Sequence, residues 1–208
     1  MSDCRLPSIS ASISVTVSKT LKRCSWALGS ELEQHYHDTE WGVALHDDRK
    51  FFEFITLEGA QAGLSWVTIL KKRENYRKLF DDFDVEKIAR YNKRKIETLL
   101  KNPGIVRNRL KVESTISNAR AFIEIQHEFG SFNNYIWQFT DGTPIVNRWK
   151  SMRDVPASTE ISDIMSKQLK KRGFRFIGST ICYAFMQATG MVNDHTCLLY
   201  TSPSPRDS

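Results

Sequence analysis

Residues 47–76 read DDRKFFEFITLEGAQAGLSWVTILKKRENY, and this stretch decides the fold class. Asp47 and Asp48 precede a run of apolar side chains that begins at Phe51, and aspartate is a preferred residue at a helix N-terminus. Ser65 stands in the same position before a second apolar pattern that ends in basic residues. The stretch therefore predicts two consecutive helices, each with a polar residue that caps its first turn.

The same signals recur along the rest of the chain. Asp84 and Asn92 each precede a short helical pattern, and the breaker Asn102-Pro103-Gly104 separates them from a long stretch with helical spacing. Glycine ends three later stretches, at Gly130, Gly173 and Gly190. Alternating strand patterns are almost absent, and no internal repeat is visible. The sequence therefore predicts an all-α protein.

The composition bounds the class of protein. A chain of 208 residues fits one domain or two small helical lobes around a cleft, and 40% hydrophobic residues suffice for a core. No apolar run approaches the about 20 residues that a membrane helix needs, and no secretory signal is visible. The formal net charge of +6 favours polyanionic partners such as nucleic acid or acidic membrane surfaces.

Cysteine usage and the first residues bear on location. The cysteines are widely scattered, which does not resemble the disulfide framework of a small secreted protein: Cys4, Cys24, Cys182 and Cys197. We therefore expect an intracellular protein of the cytoplasm and nucleoid or of the nucleus. Residues 1–21 are rich in serine and threonine, so they form either a disordered leader or an organelle transit segment. The low number of basic residues there, Arg5 and Lys19, counts against import.

The C-terminal tail has a distinct origin in our interpretation. Cys197–Asp207 reads CLLYTSPSPRD, which matches one reading frame of a common transposase sequencing adapter. We therefore expect residues 197–208 to be non-native, and residues 22–196 to form the folded domain. The alternative is a natural polar tail rich in serine and proline.

Five stretches of the chain carry a family resemblance when taken together in order. They are Arg23–Trp26 (RCSW), Tyr36–Val43 (YHDTEWGV), Leu57–Trp66 (LEGAQAGLSW), Lys71–Tyr76 (KKRENY), and Lys170–Phe174 (KKRGF) running on to Gly190–His195 (GMVNDH). The set resembles the DNA-3-methyladenine glycosylase I family of the helix-hairpin-helix DNA glycosylase superfamily. The resemblance implies a helix-hairpin-helix glycosylase fold with two small lobes around a base-binding cleft. It also implies a monofunctional base-excision repair enzyme that flips an alkylated adenine out of double-stranded DNA and hydrolyses its N-glycosidic bond. We expect this enzyme to be a monomer.

A structural zinc site is expected where the two ends of the domain meet. Cysteine and histidine are the usual ligands of structural zinc, and four of them close a tetrahedron. The resemblance places three ligands on Cys24, His37 and His195. The family's fourth ligand is a cysteine four residues after the last histidine, where this chain has Leu199; Cys197 comes two residues early. The alternative is that Cys24 is a small buried hydrophobic residue.

Aromatic residues in the same stretches form the expected base pocket. An extruded base needs flat faces to stack on, and a methylated, cationic base is attracted to them. The resemblance therefore makes Trp26, Tyr36 and Trp66 the walls and Glu58 the residue that contacts the base. Core packing of the aromatics, and a solvated carboxylate at the end of a helix, are the alternatives.

Catalysis by this family asks little of the protein, because a cationic base is already a good leaving group. The superfamily generally places an aspartate beyond its hairpin, and none occurs between Gly104 and Asp141. We therefore expect flipping, orientation and electrostatics to dominate, with Glu58 and Tyr36 as the catalytic residues. No lysine resembles a lyase nucleophile.

DNA contacts are expected from three segments. Pro103–Arg107 resembles the hairpin of the superfamily, with Gly104, Ile105 and Arg107 near a phosphate, or else it is an ordinary turn. Gly63 and Leu64 match a loop that pushes an apolar side chain into the gap left by a flipped base. Basic residues are phosphate contacts or solvated helix faces: Lys71, Lys72, Arg73, Lys170, Lys171 and Arg172.

Two further hypotheses remain beside the enzyme. One is a zinc-stabilised helical DNA-binding protein, such as a damage sensor, that lacks glycosylase activity. The other is a truncated product of a glycosylase gene that folds poorly because its fourth zinc ligand is missing.

Overall fold

A computed structural model of the chain describes residues 23–196, and the predictions for residues 1–21 and 197–208 lie outside this range. The described part contains nine α-helices: α1 Glu31–Thr39, α2 Asp48–Gln61, α3 Trp66–Leu79, α4 Val85–Ile88, α5 Lys93–Lys101, α6 Arg109–Phe129, α7 Phe132–Ile136, α8 Glu160–Lys171 and α9 Ser179–Ala188. Short 3-10 helices occupy Ser25–Gly29, Asp81–Phe83 and Trp137–Thr140. None of these helices combines the length and the apolar character that crossing a membrane requires.

The predicted helix starts are confirmed, and most of the predicted capping residues make the expected hydrogen bonds. Asp47 accepts a hydrogen bond from the amide of Lys50, and Asp84 and Asn92 cap α4 and α5 in the same way. Ser65 precedes α3 as expected, but its hydroxyl bonds to that of Thr68 instead of capping a backbone amide. These caps satisfy backbone donors that the first turn of a helix leaves unpaired.

The prediction of an all-α protein is correct for most of the chain but incomplete. Strands β1 (Ile145–Val146) and β2 (Val192–Asn193) form a short parallel pair, with Ile145 opposite Val192. Two residues are too few to show an alternating pattern, so no periodic signal predicts this pair. The pair joins the long segment before α8 to the C-terminal end of the described chain.

Helix α2 is the buried centre of the fold. Every residue from Phe51 to Ala60 is buried, and α2 packs against α3, α6, α7 and α9. Within residues 23–196 the buried apolar side chains form one cluster that extends from Cys24 to Val192. Because α2 is buried on all sides, its two glutamates, Glu53 and Glu58, also lie in the interior.

The segment after α1 lies directly against the end of α9. The amides of Gly42 and Leu45 donate to the carbonyls of Gln187 and Thr189, each over 3.0 Å. Gly190 has a φ of 68°, and a side chain there would meet the backbone of Val43. Glycine is therefore required at position 190, where it brings the N-terminal and C-terminal motifs together.

Candidate active site and metal site

An open cleft of about 350 Å³ lies beside the central helix. It is lined by side chains from both ends of the described chain: Trp26, Glu33, Tyr36, Trp41, Glu58, Gln61, Trp66, Met152, Ala184 and Gln187. The four residues predicted to bind the base are all among them. The fold thus brings together residues that the sequence separates by up to 40 positions, from Trp26 to Trp66.

Aromatic rings form much of the wall of this cleft. The Tyr36 ring centroid lies 5.4 Å from that of Trp66 and 6.2 Å from that of Trp26. Trp26 also meets Trp41 edge-on at 5.1 Å. These are ordinary distances for packed aromatic pairs, so the rings of the wall support one another.

Glu58 is the most unusual residue of the cleft. It is only 4% exposed, and within residues 23–196 its carboxylate has no hydrogen-bond or ion-pair partner. Burial raises its pKa from 4.5 to about 8. An unpaired buried acid is expensive, and groups with strongly perturbed pKa values cluster at functional sites. The expectation that Glu58 lies in the pocket is consistent with this geometry, and a solvated helix-end carboxylate is not.

Two buried hydrogen-bond donors of the cleft are also unused. Tyr36 Oη and Trp66 Nε1 are inaccessible to solvent and have no partner in the part of the chain that the structure describes. Burial, and then the charge of Glu58, raise the pKa of Tyr36 well above 10, so the phenol is neutral. Buried polar groups without partners are rare, and two of the four such side-chain atoms in the described range belong to residues that line this cleft. One buried acid and two buried donors, all without partners in the described range, therefore lie on residues of the same cleft.

The sequence analysis did not predict the other six residues that line the cleft. Gln61 falls inside a family-like stretch, which was the available signal. Met152 belongs to an irregular segment, and Gln187 lies on α9 among apolar residues. Neither position shows a pattern that distinguishes a pocket residue from a surface or core residue.

The three expected metal ligands come together at the meeting point of the chain ends. The ligand atoms of Cys24, His37 and His195 all lie within 4.8 Å of one another. Cys24 Sγ is 3.9 Å from Nδ1 of His195. Burial raises the pKa of Cys24, but hydrogen bonds from His195 and His37 outweigh it and lower this pKa to about 5. A cysteine with this pKa is a thiolate at neutral pH, which is the form that binds metals. Cys197, the doubtful fourth ligand, lies outside the described residues.

Polar and aromatic groups support this cluster. Nδ1 of His37 lies 2.9 Å from the Asp38 carboxylate, which Arg23 holds with hydrogen bonds of 2.7–3.0 Å. A carboxylate on the far nitrogen of a histidine is the usual support of a metal ligand. Trp41 contacts both histidine rings and also lines the cleft, so the cluster and the cleft share one side chain.

The predicted hairpin connects α5 and α6. Gly104 does not have a positive φ, so it does not permit a left-handed turn; a side chain there would instead lie 2.9 Å from Asn75. Ile105 is 2% exposed, so only its backbone is available to DNA, whereas Arg107 is exposed. Lys72 donates to the carbonyl of Pro103 over 2.7 Å and thereby fixes the hairpin against α3.

The basic residues have different environments. Arg73 is 7% exposed and is bonded to Glu53 and Glu40, so our expectation that it contacts phosphate or forms a solvated face is wrong. Its position on the face of α3 that packs on α2 is the reason. Arg172 makes two hydrogen bonds to Glu128 and covers two aromatic rings, while Lys170 and Lys171 are exposed.

The loop between α2 and α3 exposes an apolar side chain. Gly63 has a φ of 83°, which permits the sharp turn, and Leu64 is 41% exposed. Gln61 and Trp66, on either side of this loop, both line the cleft. Leu64 is therefore close in sequence to two residues that line the cleft, and its side chain is exposed.

Known proteins have sequences similar to that of this chain. The Methyladenine glycosylase family model matches residues 26–200. The chain is 46% identical to DNA-3-methyladenine glycosylase 1 of Escherichia coli (strain K12) over 187 residues, which are 89% of this chain and 100% of that protein. It is 48% identical to DNA-3-methyladenine glycosylase of Haemophilus influenzae over 173 residues, 83% of this chain and 94% of that one.

Solved structures agree with these matches. A crystal structure of 3-methyladenine DNA glycosylase I has a TM-score of 0.84 at 50% identity, and the match covers 88% of this chain and 100% of that one. A structure that describes 3-methyladenine recognition by the Staphylococcus aureus protein has a TM-score of 0.81 at 34% identity, over 83% and 92% of the two chains. The chain therefore belongs to the methyladenine glycosylase family.

Proposed function

We propose that this protein is a DNA-3-methyladenine glycosylase of base-excision repair. It hydrolyses the N-glycosidic bond of alkylated DNA, releases 3-methyladenine and leaves an abasic site. The observation that carries the proposal is the unpaired, buried carboxyl of Glu58 in a cleft with aromatic walls. Relatives named for this activity, and a related structure in complex with 3-methyladenine, support it.

Charge selects the damaged base in this proposal. Adenine methylated at N3 within DNA is cationic, and aromatic faces attract cations by about 2 kcal/mol when both are desolvated. A cation in the cleft also favours the ionised form of Glu58, whose pKa burial raises to about 8 in the free protein. Normal adenine is neutral and gains neither interaction.

Hydrogen bonds then select adenine over guanine. The Glu58 carboxylate accepts a hydrogen bond from the exocyclic amine, and guanine presents a carbonyl oxygen at the equivalent place. Tyr36 Oη and Trp66 Nε1 supply the unused donors for the acceptor atoms of the ring. The base lies against Trp26 and Trp66, which form two walls of the cleft.

Glu58 and Tyr36 act as catalytic residues because they touch the departing base. Bond cleavage leaves a cationic sugar, and the protein orients the base and offsets charge in a desolvated cleft. The residues that line the cleft in the described range include no lysine. Lys111, at the start of α6, donates to the carbonyls of Ala60 and Ala62. We therefore keep the expectation of a monofunctional enzyme that does not cut the strand.

DNA is held by the hairpin, the α2–α3 loop and exposed basic residues. Leu64 enters the stack as the base leaves, which its exposure beside the cleft supports. The backbone of Gly104 and Ile105, together with Arg107, binds a phosphate as in helix-hairpin-helix proteins. Lys170 and Lys171 add phosphate contacts. Arg172 is bound to Glu128 and contributes mainly to structure.

A structural zinc ion completes the fold in this proposal. Cys24, His37 and His195 fit the ion because a thiolate and two imidazoles converge, and Asp38 supports one of the imidazoles. When bound, zinc contributes binding energy to folding and ties the two ends of the domain together. The fourth ligand of the family falls at Leu199, and Cys197 is its nearest substitute.

The test is the release of methylated bases from methylated double-stranded DNA, separated by chromatography. The chain as given is compared with a Leu199→Cys variant that restores the fourth ligand. Release of 3-methyladenine with little 7-methylguanine supports the proposal. A folded, zinc-loaded Leu199→Cys chain that binds DNA but releases no base refutes it and favours the DNA-binding hypothesis.

A further inference from the structure

A buried carboxylate, that of Asp194, is hydrogen-bonded to Gln187, one of the residues that line the cleft. Asp194 is 1% exposed and accepts four hydrogen bonds. Its Oδ1 accepts hydrogen bonds from Nδ2 of Asn147 and Nε1 of Trp149, each at 2.7 Å. Its Oδ2 accepts hydrogen bonds from the hydroxyl of Tyr183 at 2.6 Å and from Nε2 of Gln187 at 2.7 Å. The carboxylate therefore joins α9 to the segment that follows β1 and carries Met152.

This network fixes the orientation of one cleft residue. Nε2 of Gln187 donates to Oδ2 of Asp194, so the amide of Gln187 turns its nitrogen toward this carboxylate. Oε1 then lies on the other side of the amide group. Gln187 lines the cleft, and within residues 23–196 nothing donates a hydrogen bond to its Oε1. The group that Gln187 has available for a ligand is thus a carbonyl oxygen.

We propose that Gln187 is a second residue that recognises the base, and that Asp194 is the positioning residue that makes it an acceptor. Oε1 of Gln187 accepts a hydrogen bond from an N–H of the alkylated adenine, in addition to the bond to Glu58. The inference rests on the proposed function, because it requires the cleft to hold the base. It predicts that preference for adenine depends on a residue that never touches the base.

The groups that donate hydrogen bonds to Asp194 differ in whether they can also accept one, and this difference makes the proposal testable. The indole of Trp149 can only donate, so it requires an oxygen on its side. The hydroxyl of Tyr183 can reverse, and the amide of Gln187 can rotate by half a turn. In an Asp194→Asn variant the oxygen therefore stays near Trp149, and the new amide nitrogen faces Tyr183 and Gln187. Gln187 must then accept with Oε1, which turns Nε2 toward the cleft and replaces an acceptor with a donor there.

The experiment measures kcat/KM for release of 3-methyladenine and of 3-methylguanine from the same methylated DNA. Guanine carries a carbonyl oxygen where adenine carries its amine, so it matches a donor. We expect Asp194→Asn to lower the ratio of the two values by about tenfold, the effect of exchanging one matched hydrogen bond for a mismatched one. Gln187→Leu lowers the same ratio, and adding Asp194→Asn to Gln187→Leu changes it by less than about twofold.

Tyr183→Phe is the matched control for a purely structural role. It removes a donor from the same oxygen, Oδ2 of Asp194, and leaves the orientation of Gln187 unchanged. We expect a lower melting temperature and an unchanged base ratio. If Asp194→Asn does not fold, the comparison of Gln187→Leu with Tyr183→Phe decides the question.

An unchanged ratio in Gln187→Leu overturns the inference and leaves the proposed function in place. An equal loss for both bases in Asp194→Asn, repeated in the Gln187→Leu background, also overturns it, because that result indicates a structural role alone. A wild-type chain that releases neither base refutes the proposed function, and this inference falls with it.

Discussion

Replacing Glu58 by glutamine should stabilise the free protein, and the gain should grow with pH. Burial raises the pKa of Glu58 from 4.5 to about 8. Each pKa unit corresponds to about 1.4 kcal/mol, so holding this carboxylate ionised in the folded state costs about 5 kcal/mol. Glutamine has almost the same shape and no charge. It removes this cost without leaving a cavity.

The pH dependence of the stability difference follows from whether Glu58 loses its proton first in the folded or in the unfolded state. Below pH 4.5 the carboxyl is neutral in both states, and the two proteins should be equally stable. As pH rises the unfolded chain releases the proton first, so wild-type stability falls until the folded group ionises near pH 8. Urea denaturation should show Glu58→Gln more stable by about 3 kcal/mol at pH 7 and by about 5 kcal/mol at pH 9.

Glu53→Gln is the matched control, since Glu53 lies on the same helix and is also buried. Its carboxylate bonds to Arg73 and Arg77, so its replacement weakens charge-assisted hydrogen bonds, although these arginines keep Glu40 and Glu74 as partners. We expect that variant to be destabilised by about 2 kcal/mol. Release of 3-methyladenine should fall by about 100-fold in Glu58→Gln despite its stability. Equal or lower stability of Glu58→Gln at pH 9 would refute the reasoning.

Three further changes test other parts of the site. Chelator should lower the melting temperature of the Leu199→Cys chain but not that of the same chain with Cys24→Ser, as scanning calorimetry and zinc content will show; an equal melting temperature with and without chelator in the first chain argues against structural zinc. Tyr36→Phe should weaken binding of free 3-methyladenine by about tenfold in calorimetric titration without lowering stability, because its hydroxyl has no partner in the free protein; unchanged affinity would remove Tyr36 from recognition. Lys170→Ala should reduce the salt dependence of DNA affinity by about one phosphate contact, whereas Arg172→Ala should cost about 1 kcal/mol of stability and leave the salt slope nearly unchanged. A lower salt slope in Arg172→Ala, together with a loss of stability in Lys170→Ala, would mean that Arg172 contacts phosphate and that Lys170 is structural.

Local signals predicted most of the helices because they act within one turn. Asp47, Asp84 and Asn92 cap the helices that were expected after them. The prediction missed α1, although Ser30 and Glu33 form the hydrogen bond of a helix start, a spacing that the sequence contains. Helix α7 and the β1–β2 pair are short, and short elements depend on tertiary contacts rather than on periodicity.

The site was only partly predictable for the same reason. The family-like stretches placed Trp26, Tyr36 and Trp66 in one pocket, and they do lie together. Burial was not predictable, because a basic run such as Lys71, Lys72 and Arg73 gives no indication of which member faces inward. Arg73 is buried because α3 packs on α2. A resemblance transfers positions, but hydrogen bonding and charge follow from packing between distant segments.

Three carboxylates are buried in the part of the chain that the structure describes, and their partners support our proposal that Glu58 binds the base. Glu53 bonds to two arginines, and Asp194 accepts four hydrogen bonds. Only Glu58, five residues from Glu53 on the same helix, has no partner among the described residues. The same fold provides hydrogen-bond partners for two other buried acids. An arginine beside Glu58, or a neutral side chain in place of Glu58, would make the free protein more stable. The cost persists because a ligand supplies the missing partner, and a cationic base with an exocyclic amine provides both the charge and the donor that Glu58 lacks.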